Sequence, residues 1–71
     1  MENETTQPSE RDELLFIAMR NNIKTAEQIE AQKGFDCYAF ASAQAYRRYA
    51  RDCFNAIAPK SYNIISLRRI A

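Results

Sequence analysis

The dominant pattern in the chain lies between Asp36 and Ala58, DCYAFASAQAYRRYARDCFNAIA. It holds no Gly or Pro, and Pro59 ends it. Ala39, Ala43, Tyr46, Ala50, Cys53 and Ile57 recur at alternating spacings of four and three, which is one face of an α-helix. Tyr49 and Phe54 flank that seam, while Gln44, Arg47, Arg48, Arg51 and Asn55 project away from it. The spacing predicts a long amphipathic helix over 36–58 whose small buried face lets a partner helix approach closely.

Shorter patterns surround it. Met1–Pro8 is nearly devoid of apolar residues and is expected to be a disordered tail, leaving 9–71 as a single helical domain. Ser9 is placed to N-cap a first helix, with Glu10, Asp12 and Glu13 in the turn where the helix dipole favours negative charge. That helix is expected to run from Glu10 to about Asn21 with Leu14, Leu15, Ile17, Ala18 and Asn21 as its core face. Phe16 and Met19 then widen the apolar face beyond what a small monomer covers. Thr25, with Gln28 three residues on, offers a capping box for a short second helix over Ala26–Lys33. Gly34, the only glycine, stands where a left-handed residue ends a helix, and Phe35 can fold back on Ile29. Asp36 caps the long helix. After Pro59, Lys60-Ser61 reads as a turn and Ser61 as the cap of a last helix, Tyr62–Arg69. The expected fold is all-α: three helices plus a short C-terminal helix, packed around the long one.

Size changes the picture. A chain of 71 residues buries only about 60% of its unfolded surface, so it needs support from a disulfide, a metal or a second subunit. Cys37 and Cys53 are sixteen residues apart on one helix, roughly 24 Å by helical rise. A disulfide needs Cα atoms within about 7 Å, so the two thiols are separate, which suits a reducing cytoplasm. No secretory leader is expected at the N-terminus. The longest apolar run, Leu14–Met19, falls far short of the ~20 residues that span a bilayer. No metal is expected either, since the chain has no His and its two Cys lack ligand spacing. A second subunit or a protein partner remains.

Charge is unevenly placed. Residues 1–32 carry seven acidic against three basic side chains, and residues 33–71 carry seven basic against two acidic, for a net charge of +1. The two halves can attract within the fold or across a dimer, or they can present one basic surface to an acidic partner.

Catalysis is disfavoured by the residue inventory. Without His the usual general base and nucleophile partner are missing, and one glycine cannot make a phosphate loop. No cofactor is expected. A helix-turn-helix can be drawn from Thr25 through Gly34 into the long helix. Its recognition helix would then begin Asp36-Cys37-Tyr38-Ala39, which offers no positive charge to DNA. The cluster Arg47, Arg48 and Arg51 is either a solvated helix face or a docking patch. Tyr49 and Phe40 complete the candidate partner-binding set, because Tyr and Arg are enriched at binding hot spots.

With Thr25, Glu27 and Ile29, then Ala39, Ala43 to Ala45, Arg48 and Ala50, then Pro59-Lys60-Ser61, the chain resembles small enterobacterial transcription modulators of the Hha/YmoA type. Ala45-Tyr46-Arg47-Arg48 stands where that family has Ala-Asp-His-Arg. Glu30, Gly34, Phe35 and Ala39 are similar to the pattern of small negative regulators of AraC-type activators. Both resemblances imply a small helical regulator that acts through another protein, a regulator or nucleoid protein. The expected function is a cytoplasmic, homodimeric interaction module that modulates transcription. The alternatives are a direct DNA binder using Arg47, Arg48, Arg51, Arg68 and Arg69, and a small antagonist of a host enzyme.

Overall fold

The computed structural model describes residues 8–70. The tail expected over residues 1–8 lies, apart from Pro8, outside them. Three helices follow one another: α1 Glu10–Ala31, α2 Cys37–Ala56 and α3 Pro59–Ile70. The described residues contain no strand, and no helix is long and apolar enough to cross a membrane.

Helix α1 starts as its sequence requires. The Asp12 amide donates to Ser9 Oγ at 3.1 Å, and Glu10, Asp12 and Glu13 fill the first turn. It does not stop at Asn21-Asn22, so the two expected N-terminal helices are one helix of 22 residues. Asn inside a helix is worse than Ala by no more than about 0.7 kcal/mol. Packing outweighs that, because Ala26 is fully buried and Ile23 half-buried beyond the supposed break. Thr25 opens nothing; its hydroxyl donates back to the Asn21 carbonyl at 2.9 Å, the mid-helix habit of Thr.

The buried face of α1 also differs from the expected one. Phe16 and Met19, read as surplus, are core residues, whereas Leu14 is 60% exposed and Ile17 39%. Asp12, Phe16, Met19, Ile23 and Ala26 are buried or half-buried and recur at spacings of four and three. This matches the seam of α2, where Ala43, Ala50 and Ile57 are buried and Ala39, Tyr46 and Cys53 half-buried. Two such 3.5-period faces are the sequence basis of coiled-coil-like packing.

A five-residue link turns α1 into α2, and links this short join antiparallel neighbours. The turn needs Gly34, whose φ is 76°. Phe35 lies edge-on to Phe40 with ring centroids 6.4 Å apart. Asp36 caps α2 as expected, accepting from the Ala39 amide at 2.9 Å. At the other end Ile57 caps α2, its amide donating to the Phe54 carbonyl at 3.2 Å. The expected Lys60-Ser61 turn is instead the first turn of α3. Pro59 is its first residue, where the fixed φ suits a helix start and the missing N–H is harmless, and the Tyr62 amide already donates to the Ala58 carbonyl at 2.9 Å.

All three helices feed one core of Phe16, Met19, Ala50, Ile57 and Ile65, edged by Leu15, Ile23, Cys53 and Tyr62. Tyr62 packs against both Phe16 and Phe54, at centroid distances of 5.5 and 4.9 Å. Cys37 is exposed, Cys53 half-buried, and both are free.

If the α1–α2 seam requires small residues, Ala43→Leu should overpack it and lower stability by about 1–3 kcal/mol. Ala41→Leu, on the exposed face, should change stability by no more than about 0.5 kcal/mol. Urea denaturation followed by circular dichroism compares the two, and equal stability for both variants would refute close packing at Ala43.

Candidate partner-binding surface

The charge split in the sequence is resolved in part inside the chain. Arg47 reaches from α2 to Glu30 of α1, with Nε to Oε2 at 3.2 Å and Nη2 to Oε1 at 2.6 Å. Arg68 of α3 pairs closely with Glu13, and Arg69 stands 3.9 Å from the same carboxylate. The acidic front thus holds the basic back at two places. The Glu30 hydrogen bond, followed by its charge, raises the Arg47 pKa further above its ordinary value, so this side chain is a cation at any working pH. Its partner is already in place, however, and Arg47 serves as a strut before it serves as a docking group.

The five residues singled out from sequence do not form one patch. Phe40, Arg47 and Phe54 are seven apart on α2, with Arg51 four beyond Arg47, so these four share one flank. Tyr49 belongs to the other flank, edge-on to Tyr46 with centroids 6.2 Å apart. Arg48 points outward between the flanks. Phe40 and Arg51 are separated by eleven residues, roughly 16 Å along the helix, so Phe40 marks the loop end and Arg51 the middle.

The flank carrying Arg47 and Arg51 borders a groove where α1, α2 and α3 meet. Met19, Ile23, Ala50, Phe54 and Tyr62 form its apolar wall, with the two arginines on the rim, around about 340 Å³. Phe54 and Tyr62 also open onto a second hollow of about 350 Å³ at the α2–α3 corner, lined further by Ile57 and Pro59. Among the described residues no carboxylate lines either hollow. Sequence reasoning found the arginines and Phe40 but missed Phe54 and Tyr62 as site residues. Their signal was the aromatic on each side of Pro59, which a tight corner brings together.

Among the described residues no three His, Cys, Asp or Glu side chains gather as metal ligands do. Comparison with protein-family models, curated proteins and solved structures finds no match to this chain.

A double-mutant cycle on Glu30→Gln and Arg47→Gln should give a favourable coupling at low salt. The coupling should vanish near 1 M salt, where the screening length is only about 3 Å. Zero coupling at low salt would remove the strut.

Proposed function

We propose that this chain is a helical protein-interaction module with no catalytic role, which modulates transcription from the cytoplasm by binding a regulator or nucleoid protein. One observation carries the interaction reading. Among the described residues the fold buries four large apolar side chains, Phe16, Met19, Ile57 and Ile65, but leaves eight others exposed, Tyr38 at 81% and Leu67 at 71% among them. Single exposed apolar residues are ordinary, whereas a surplus beside an apolar groove marks a surface that gains by being covered.

The groove rimmed by Arg47 and Arg51 is the face offered to the partner, with Phe40 extending it toward the loop. Aromatic anchors with arginine beside them match the usual chemistry of a binding hot spot. That the partner is a regulator is supported by the resemblance at Glu27, Ile29, Ala43 to Ala45, Arg48 and Pro59 alone. The short Thr25-initiated helix that contributed to that resemblance is absent, since Thr25 lies within α1. The same helix would have been the first half of a helix-turn-helix, and Arg47 and Arg68 each pair closely with a carboxylate of the chain itself. Both facts favour the protein-binding reading over direct DNA contact. A second copy of the chain is a further partner that the exposed apolar side chains suit.

Tagged protein should capture one defined partner in stoichiometric amount, and the purified pair should reassociate. Arg51→Glu with Phe40→Asp should weaken the complex at least ~tenfold, as hot-spot losses above about 1 kcal/mol imply, with helicity unchanged by circular dichroism. A chain that sediments as a monomer and captures nothing would overturn the reading.

A further inference from the structure

A different cleft carries two cations that have no close carboxylate among the described residues, and a third that is only partly engaged. Ile17, Arg20, Asn21 and Lys24 of α1 and Arg69 of α3 line a hollow of about 130 Å³. Arg20 and Lys24 are four residues apart, so they project from one face of α1, where like charges repel. Neither forms an ion pair with any described carboxylate. Arg69 completes the hollow from across the helix interface. Its guanidinium stands over the Phe16 ring, 6.0 Å from the centroid, and is 3.9 Å from Glu13. Glu13 is taken up more closely by Arg68. Glu27 is the nearby acid, lining the adjoining hollow with Arg20 and Lys24.

Three cations from two helices line this one small hollow, with Asn21 beside them. One carboxylate would answer one of these charges. A tetrahedral dianion answers two or more and matches the forked donors of Arg20 and Arg69. We infer that the cleft between α1 and α3 binds a phosphate group, held by Arg20, Lys24 and Arg69. The phosphate belongs to a small phosphorylated compound or to a nucleic-acid backbone. Both sources present the same oxygens, and the surrounding surface is open enough to admit either. The inference is independent of the protein-interaction proposal, because it needs only the isolated chain and a small anion.

Titration calorimetry of the full chain with sodium pyrophosphate, at fixed ionic strength, tests this directly. Saturable binding is expected at one site, with none for acetate. Arg20→Gln with Lys24→Gln should weaken pyrophosphate binding at least ~tenfold, the loss that removing charge-assisted hydrogen bonds implies. Both side chains are exposed, so the fold should survive, and circular dichroism checks that it does. Arg69→Gln should weaken binding as well, and it leaves α1 intact should the double variant unfold. Arg48→Gln removes an equally exposed charge away from the cleft and should have no effect.

A labelled single-stranded oligonucleotide distinguishes the sources. Displacement of the oligonucleotide by pyrophosphate supports the cleft and assigns it to a backbone phosphate. Pyrophosphate binding without oligonucleotide binding supports it with a small ligand. Absence of saturable binding, or an Arg48→Gln effect as large as that of the cleft variants, overturns the inference, the latter by showing only diffuse surface charge.

Discussion

The close antiparallel contact between α1 and α2 sets the terms for everything else in this molecule. Its register can be followed in steps of seven. Moving back along α1 from Ala26 to Met19 to Asp12 is matched by moving forward along α2 from Ala43 to Ala50 to Ile57. All six are buried, and Met19 and Ala50 border the same groove. Alanine is the buried residue of each helix nearest the Gly34 loop, at Ala26 and Ala43. Farther from the loop the core holds the large side chains Phe16, Met19, Ile57 and Ile65, edged by Tyr62. Helix α3 supplies Ile65 and Tyr62 to that end.

A core built this way is narrow. Across its thinnest direction the Cα trace spans 14 Å, the depth of two packed helices at about 8–10 Å between axes. Among the described residues no element covers the faces of α1 and α2 turned from the seam, and Leu14, Tyr38 and Tyr49 remain exposed there. The groove and the cationic cleft both arise where α3 meets the helix pair without fully closing over it. Binding surface and incomplete core are thus two results of one packing geometry.

How much of this was legible in the sequence depends on how strongly each helix declared its period. Helix α2 was readable to within two residues at its end, because its seam is uninterrupted, Asp36 is an explicit N-cap and Pro59 bars its continuation. Helix α1 was misread for a physical reason. Its true seam begins at a carboxylate, Asp12, and the surface face carries Leu14 and Ile17, so hydrophobicity alone favours the wrong side. Asn21-Asn22 imitates a helix end, yet tertiary burial of Ile23 and Ala26 carries the helix through. At Pro59 one residue has two opposite effects, ending α2 and starting α3, and only the first was read. The arginines were visible as a cluster, but their separation into a strut, an outward charge and a groove rim depends on where Glu30 lies across the seam. That placement follows from the register, which the misread face of α1 concealed.

The distribution of charge then gains a mechanical meaning. Glu30 with Arg47 ties α1 to α2 near the loop, and Glu13 with Arg68 and Arg69 ties α1 to α3 at the start of α1. Pairs this exposed add little net stability, so their larger effect is on geometry. They oppose sliding of α1 along the small-residue seam of α2 and along α3. Because α1 supplies the carboxylate in both ties, its own cations Arg20 and Lys24 are left over on the side facing α3. The same division of charge that pins the helices together therefore leaves Arg20 and Lys24 beside Arg69 at the crevice between α1 and α3, with Glu27 as the nearby acid.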